Sequence, residues 1–329
     1  MSDFRTVIDI SKGEKELGYD SKIMFLGSCF SENVGSRLTY YKLPVDVNPF
    51  GILYNPVSVA NSIRMLIDGK EFNEDDLNFS HGQWFSFFHH SRFSNSNMEE
   101  CLQNINNRVN YSTQCLKEAD FLFITFGTSW VYELISQGAI VSNCHKLPAR
   151  EFNRYRLEVD EIVKLYKELL VSLFVFNPKI QVVFTVSPIR HWKDGAHGNQ
   201  LSKATLLLAV EQLADLFDQV SYFPSYEIVM DELRDYRFYQ EDMLHISDTA
   251  VNYIWKRFKD VYVASGAHRV MGEVEKVVRA AAHRPFNIQS EEHQKFLRKY
   301  LQMLNNLERH YPLLDFEKER MIFLENLCQ

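Results

Sequence analysis

The sequence lacks several features that mark specialised classes of protein. No apolar run approaches the roughly 20 residues with which a helix crosses a bilayer. Basic residues are in the minority, with 36 Lys and Arg against 43 Asp and Glu and a formal net charge of −7. Nucleic-acid-binding proteins usually present a basic surface. We therefore expect neither a membrane nor a nucleic acid as a partner.

Cysteine is also scarce, and its spacing has no recognisable pattern. The five cysteines form neither an even-numbered disulfide framework nor the close pairs of a zinc site. We expect no metal and no other cofactor. Residues 1–17 mix acidic and basic side chains without the apolar core of a signal peptide. These features together predict a reducing, cytoplasmic compartment.

What the chain does contain is an alternation of strand-like and helix-like segments. Apolar runs at residues 22–27, 121–127 and 180–186 suit strands that are covered on both faces. Segments with apolar residues at three- and four-residue steps separate these runs. Such an alternation predicts a parallel sheet with helices on both faces.

Two stretches and the tail depart from this alternation. Residues 69–97, rich in aromatic side chains, are predicted to form a long irregular insertion, and residues 131–155 a hairpin or loop. We predict an α/β domain at residues 1–262 and a helical extension at residues 263–329. The extension is expected to serve in packing or in homo-oligomerisation.

The first apolar run ends at Gly27, and two nucleophile-capable residues follow it, Ser28 and Cys29, before a helical segment begins. In an open α/β sheet, such a turn lies at the edge where ligands bind. The adjoining helix terminus offers free N–H groups and the positive end of a dipole. A thiol or hydroxyl placed there should ionise more easily. Ser28 and Cys29 are therefore candidate nucleophiles.

A base for such a nucleophile is available late in the chain. Asp242 and His245 lie three residues apart before a helical segment, so the carboxylate can orient the ring while its other nitrogen faces the nucleophile. Pairs with this spacing also occur by chance in surface loops. A cysteine that follows a strand is also often a buried core residue. Both alternatives remain open at this level.

Several motifs, taken together, resemble the GSCFA-domain family over residues 20–260. They are Gly-Ser-Cys-Phe-Ser at 27–31, Asn-Pro-Phe-Gly at 48–51, Phe-Gly-Thr-Ser-Trp-Val-Tyr at 126–132, Asn-Cys-His-Lys at 143–146, Ser-Pro-Ile-Arg-His at 187–191 and Asp-x-x-His at 242–245. Ser31 stands where the family motif has alanine. That family looks like a branch of the SGNH, or GDSL-like, esterases and acyltransferases. The resemblance implies a three-layer α/β/α, flavodoxin-like fold that hydrolyses or transfers a small acyl ester, such as an O-acetylated carbohydrate.

The resemblance also suggests roles for individual residues. The broader esterase motif is Gly-Asp-Ser with the nucleophile third, which falls on Cys29, whereas a register shifted by one selects Ser28. We favour Cys29 because the glycine ends the strand in both patterns. His245 would act as the base and Asp242 would orient it. Ile246 replaces the proline that usually follows this histidine.

The oxyanion donors are less well matched. By resemblance they would be the backbone N–H groups of Cys29 and Gly51 and a third motif, Gly127-Thr128-Ser129, in which Ser129 replaces an asparagine. Removing one such donor can cost about 3 kcal/mol of transition-state stabilisation. The alternative hypothesis is therefore a carbohydrate- or acyl-binding module that has lost efficient catalysis.

Two further residues are candidate substrate contacts. His90, in the aromatic insertion, is predicted either to line the substrate pocket or to pack beside neighbouring aromatic rings. Arg190 follows a strand end, where its guanidinium can bind a carboxylate or phosphate in bidentate fashion. A structural ion pair is the alternative for Arg190.

Overall fold

The computed structural model describes residues 6–13 and 15–327. Numbered in chain order, its strands are β1 (Ile23–Gly27), β2 (Val45–Val47), β3 (Asn78–Ser80), β4 (Gln83–Phe85), β5 (Phe121–Phe126), β6 (Trp130–Leu134), β7 (Ala139–Val141), β8 (Phe152–Arg156), β9 (Gln181–Val186) and β10 (Val220–Tyr222). The helices are α1 (Cys29–Tyr40), α2 (Pro56–Ile67), α3 (Met98–Glu118), α4 (Val159–Phe176), α5 (Gly195–Leu216), α6 (Ser225–Glu227), α7 (Asp248–Tyr262), α8 (Ser265–Ala281), α9 (Glu291–His310) and α10 (Glu317–Asn326). No helix within the described ranges is both long and apolar enough to span a membrane.

The central sheet has five parallel strands in the order β10-β9-β5-β1-β2. Counted along the chain, its own strands therefore lie in the order 2-1-3-4-5, which is that of flavodoxin-like folds. Every residue of β1 and of β5 is buried, as their continuous apolar sequences predict. This sheet and its flanking helices confirm the predicted fold class.

Helices cover both faces of the sheet because the direction of strand addition reverses between β1 and β5. Parallel crossovers are almost always right-handed, so the β1-to-β2 connection through α1 lies on one face and the β5-to-β9 connection through α4 on the other. Residues of α2, α3, α4 and α5 share one buried cluster with the strand residues Leu26, Ile124 and Phe184. Asn55 caps α2 by accepting the Ser58 N–H at 2.8 Å, and proline follows it in the first turn.

The two insertions are more ordered than predicted. The stretch 69–97 contains a short hairpin of β3 and β4, and residues 130–156 form a three-stranded antiparallel sheet in the order β7-β6-β8. A separate cluster with Phe85, Leu134 and Phe152 at its centre packs these parts together. Aromatic residues that the sequence left in loops thus form a small second core.

Contacts divide the described chain into two compact units. One comprises residues 6–10, 22–35 and 45–257, and the other 11–13, 15–21, 36–44 and 258–327. In the second unit, α8, α9 and α10 pack around an apolar core that includes Val274, Leu304 and Phe323. The same unit takes in two segments from the first fifty residues, which the sequence pattern did not indicate. The role of this unit in oligomerisation stays a prediction.

Candidate active site

The reversal of strand order between β1 and β5 places a cleft at the carboxyl ends of these strands, where open α/β sheets bind ligands. Close approach of the two strands depends on Gly27, whose φ is +127°. A Cβ at this position would lie 2.1 Å from the Thr125 carbonyl oxygen. Only glycine fits such a conformation and contact. The backbone therefore fixes the turn that carries Ser28 and Cys29.

Ser28 and Cys29 differ in what they do in this turn. Ser28 is 1% exposed, and its Oγ accepts the Phe30 N–H at 3.3 Å, as a helix-capping hydroxyl does. Cys29 is the first residue of α1 and is only partly buried. Both residues line a cleft of about 620 Å³. The Ser28 oxygen accepts this capping bond, and the Cys29 sulfur likewise lies close to the N–H groups of Cys29 and Phe30.

Burial raises the pKa of the Cys29 thiol. Three groups lower the same pKa, namely the N–H groups of Cys29 and Phe30 and the ammonium of Lys203. Their combined effect is smaller than that of burial. The N–H groups of the turn lower the pKa as expected, but burial outweighs them, so the thiol is harder to ionise than a free cysteine. Cys29 is a thiol at neutral pH, and a base has to remove its proton during any reaction.

Asp242 and His245 form the pair that their spacing predicts. The His245 ring nitrogen Nδ1 lies 2.5 Å from Asp242 Oδ2, while Oδ1 of the same carboxylate accepts the N–H groups of Leu244 and His245 at 2.9 Å each. These hydrogen bonds, the one from the His245 ring first, lower the pKa of Asp242 to about 2. The carboxylate is therefore charged at neutral pH and holds the ring in one orientation.

His245 lines the same cleft as Cys29. Within the described residues, no hydrogen bond joins the Cys29 sulfur to the His245 ring, and both members of the Asp242–His245 pair are exposed to solvent. Catalytic hydrogen bonds are often long or absent without substrate and shorten in the complex. The structure thus brings nucleophile and base to one cleft without direct contact.

Gly51 does not offer the N–H group that was predicted for it. Its φ is +84°, and its N–H donates to the Asn48 carbonyl at 2.8 Å. A Cβ on Gly51 would lie 2.2 Å from the Cβ of His90. Gly51 therefore permits a tight turn against His90. The N–H of the next residue, Ile52, has no hydrogen-bond partner within the described residues, and Ile52 lines the cleft.

The predicted donor Ser129 lies outside the cleft. It is fully buried, and both its N–H and its hydroxyl bond to Ser202 Oγ, at 2.8 and 3.1 Å. The preceding residue, Thr128, lines the cleft instead. Gly127 is likewise engaged, since its N–H donates to the Tyr54 carbonyl at 2.7 Å. Within this motif, Thr128 rather than Ser129 is the residue that reaches the cleft.

Counting hydroxyl protons shows which group Thr128 presents. Ser202 Oγ accepts both the N–H and the O–H of Ser129, so both of its lone pairs are used and its own proton goes to Thr128 Oγ1, 3.0 Å away. Thr128 Oγ1 also accepts the Trp130 N–H at 3.2 Å. Its two lone pairs are then occupied. The Thr128 hydroxyl is thereby left as a donor at the wall of the cleft.

His90 and Arg190 both line the cleft, which for His90 is the first of its two alternatives, and their contact with a substrate stays a prediction. His90 Nδ1 accepts the Arg92 N–H at 3.2 Å, and burial lowers the pKa of its ring. The guanidinium of Arg190 contacts Met230 Sδ at 3.6 Å. Within residues 6–13 and 15–327 it forms no ion pair, so the structural alternative for Arg190 is wrong.

Lys203 is the main residue that sequence reasoning missed. It is 1% exposed, and its ammonium donates to the carbonyl oxygens of Gly127 and Ser187 at 2.6 Å each, at the ends of β5 and β9. Burial lowers the pKa of Lys203 to about 7, while the charge of Cys29 raises it. No carboxylate in the described chain forms an ion pair with it. A signal was present, because Lys203 lies three residues before Leu206 on the buried side of α5.

A second histidine, His191, also lines the cleft. Its ring meets the Tyr54 ring edge-on at 5.5 Å between centroids, and its backbone N–H donates to Asn199 Oδ1 at 3.0 Å. Burial, followed by the charge of Lys203, lowers the pKa of His191 to about 4. His191 is therefore a neutral imidazole at physiological pH.

The far wall of the cleft is aromatic and charged. The Arg154 guanidinium lies 4.3 Å from the Trp130 ring centroid and 5.3 Å from that of Tyr132, and it pairs with Asp194. Flat rings with adjacent polar groups suit a flat or ring-shaped ligand. Across the described ranges, no group of three His, Cys, Asp or Glu side chains is arranged to hold a metal ion.

Comparison with known proteins identifies the family. The model described as the GSCFA family matches residues 22–258. This chain belongs to the GSCFA family. A further model, described as the C-terminal domain of GSCFA domain proteins, matches residues 274–328 of this GSCFA protein. No curated protein matches it.

Solved structures similar to this GSCFA protein include three esterases. A family 3 carbohydrate esterase of Clostridium thermocellum is 15% identical, with 80% of this chain and 99% of that chain covered and a TM-score of 0.33. A family 3 carbohydrate esterase from Talaromyces cellulolyticus is 11% identical, with 78% of this chain and 99% of that chain covered and a TM-score of 0.36. An acetyl xylan esterase (Est2A) from the rumen bacterium Butyrivibrio proteoclasticus is 12% identical. The match covers 74% of this chain and 63% of that chain, with a TM-score of 0.37. These TM-scores are low, so the site rests on the geometry of this chain alone.

Proposed function

We propose that this GSCFA protein is an ester hydrolase or acyltransferase that works through a thioester on Cys29. The observation that carries the proposal is the cleft itself. Cys29, at the amino terminus of α1, and His245, whose ring is hydrogen-bonded to Asp242, line one cavity at the carboxyl end of the sheet. A nucleophile, a base and a group that orients the base are the parts that covalent acyl transfer needs.

The reaction then proceeds in two halves. His245 takes the proton of the Cys29 thiol as sulfur attacks the acyl carbon, and the resulting oxyanion collapses to a thioester while the alcohol leaves with the proton from His245. In the second half, His245 removes a proton from water, which attacks the thioester and releases the acid and the free thiol. An alcohol in place of that water completes an acyl transfer. Asp242 keeps the ring in the orientation that both halves require.

The oxyanion needs donors that are not already engaged. The backbone N–H groups of Cys29 and Ile52 have no carbonyl partner within the described chain, and both residues line the cleft. The Thr128 hydroxyl, oriented by Ser202, is the third donor that we propose. The Lys203 ammonium lies beneath these groups and adds a buried positive charge against the developing negative one.

For the substrate we propose a small acyl ester, such as an acetylated carbohydrate. A volume of about 620 Å³ falls within the range of small-molecule sites. The rings of Trp130 and Tyr132, with Arg154 against them, give one wall on which a sugar ring can lie. The pairing of Arg154 with Asp194 also offers polar atoms for hydroxyl groups.

The proposal is tested by hydrolysis of p-nitrophenyl acetate, with variants that separate the nucleophile from other thiols. We expect Cys29→Ala to abolish turnover and His245→Ala to lower kcat by about 10²- to 10⁴-fold, the usual contribution of a general base. Cys144→Ala is the matched control, because Cys144 lines the same cleft and burial likewise raises its pKa. That control should keep wild-type activity.

Two outcomes would count against this scheme. Full activity in Cys29→Ala together with loss of activity in Ser28→Ala would move the nucleophile to Ser28. If a panel of small esters gave no turnover, while the same esters or a sugar bound in the cleft, the binding-module hypothesis would replace the enzyme.

A further inference from the structure

The charges that line the catalytic cleft are unbalanced, although the chain as a whole is acidic. The basic side chains among the lining residues are Arg154, Arg190 and Lys193, and the acidic one is Asp194. Asp194 is already paired with Arg154. Two positive charges therefore face the cleft without an acidic partner there, in a protein whose net charge is −7.

Of these two side chains, Arg190 has the fewer partners within the described chain. Lys193 donates to the Tyr132 hydroxyl at 2.7 Å, which keeps it on the aromatic wall. Arg190 has only its contact of 3.6 Å with Met230 Sδ, and no acid of the described chain pairs with it. A guanidinium presents a planar fork of donors that matches the two oxygens of a carboxylate or phosphate. The side chain is half-buried, so its donors are not simply free in bulk solvent.

Arg190 lies where the catalytic cleft meets a second cavity. It lines the catalytic cleft and also an adjoining cavity of about 750 Å³, whose walls include Tyr236, Tyr239 and Asp242. Trp192 and Leu244 are likewise shared by both cavities. A ligand that extends from Cys29 towards the second cavity therefore passes Arg190. Arg190 also acts on the buried Lys203, because repulsion between the two positive charges lowers the pKa of Lys203.

We propose that the ester bound here carries an anionic oxygen group, a carboxylate or a phosphate, and that Arg190 receives this group at the junction of the two cavities. This inference rests on the proposed acyl-transfer function and names the substrate class for it. The chemical consequence is selectivity. Anionic esters should be preferred over neutral esters of the same size, because the guanidinium is otherwise left without a partner in the complex.

The test compares phenyl acetate with two anionic analogues, 4-acetoxybenzoate and 4-acetoxyphenyl phosphate, in the full-length protein. For Arg190→Gln we expect the ratio of kcat/KM for an anionic ester to kcat/KM for phenyl acetate to fall on the order of tenfold or more, the usual loss for a charge-assisted hydrogen bond. Arg190→Lys should restore part of the ratio. Whichever anionic analogue shows the larger fall identifies carboxylate or phosphate as the preferred group.

Arg234→Gln is the matched control, because Arg234 lines the adjoining cavity but is paired with Asp231 at 2.7 Å. It should leave the ratio unchanged. An unchanged ratio in Arg190→Gln, or an equal fall in Arg234→Gln, would overturn the proposal. If no ester is turned over, calorimetry measures the binding of 4-hydroxybenzoate, phenyl phosphate and neutral phenol to the wild type and to Arg190→Gln. Anion binding that Arg190→Gln removes would support the subsite even then, and equal binding of all three would refute it.

Discussion

Replacing Lys203 by methionine removes one buried charge from beneath the cleft and keeps a side chain of similar length. The ammonium is fully buried, bonds to two carbonyl oxygens and forms no ion pair with an acid of the described chain. The Cys29 thiolate favours the charged form of Lys203, and the ammonium in turn favours the thiolate, so the two charges stabilise each other. We therefore expect Lys203→Met to raise the pKa of Cys29.

The order of the effects on Cys29 sets the size of the change. An opposite charge close by shifts a pKa by about 1 to 3 units. Lys203 acts on Cys29 after burial and after the Cys29 N–H, so we expect a shift at the lower end of that range. For each unit by which a pKa rises, the thiolate population at a given pH falls about tenfold. A more basic thiolate is more nucleophilic, which recovers about threefold, so the alkylation rate should fall about threefold per unit.

The assay is alkylation of the protein by iodoacetamide across a range of pH, with each cysteine followed by peptide mass spectrometry. Cys144 serves as an internal reference, because it lines the same cleft and the cation that lowers its pKa is Lys193. We expect the midpoint for Cys29 to move to higher pH while that of Cys144 stays in place. Circular dichroism confirms that the variant is folded.

Two results would refute this electrostatic role. The first is an unchanged midpoint for Cys29 in a folded variant, which would mean that Lys203 serves only to tie the ends of β5 and β9 together. The second is an equal shift at Cys144, which would indicate a general loosening of the cleft.

Three further predictions concern the residues around the cleft and the neighbouring core. Thr128→Val should lower kcat by about 10²-fold while Ser129→Ala lowers it far less, measured with p-nitrophenyl acetate, and the reverse order would restore the original assignment. Burial lowers the pKa of His89 to about 3, so the unfolded chain takes up that proton first and stability falls as pH drops below about 6.5. His89→Leu should therefore reduce the loss of unfolding free energy between about pH 7.5 and about pH 4.5 by about 3 kcal/mol in urea titrations, and an equal loss would contradict this. Gly51→Ala should destabilise the fold by at least about 1 to 3 kcal/mol in the same titrations, because φ is +84° and the new Cβ meets His90, whereas an unchanged midpoint would argue against that strain.

The sheet and the nucleophile turn could be predicted because both depend on local sequence. A continuous apolar run such as Phe121–Phe126 has to be covered on both faces, and a glycine after such a run marks the turn. The Asp242–His245 pair was predictable for the same reason, since three residues of loop are enough to bring the two side chains together.

The donors of the cleft could not be predicted, because they depend on which N–H and O–H groups already have a hydrogen-bond partner. The availability of the Gly51 N–H is decided by the Asn48 carbonyl, and that of the Thr128 hydroxyl by Ser202, which lies more than seventy residues away. Lys203 looks like an ordinary helical lysine until the carbonyl oxygens at the ends of two strands are placed around it. Motif spacing carries no information about such partners.

The central claim is that an acyl group passes through the Cys29 sulfur, and rapid quenching tests it most directly. The protein is mixed with p-nitrophenyl acetate, stopped in acid within the first turnover and mapped by peptide mass spectrometry, with His245→Ala as a parallel sample. We predict one acetyl group on Cys29 in the wild type and much less in His245→Ala. Acetylation of Ser28, or equal labelling of Cys29 and Cys144 in both proteins, would contradict the account.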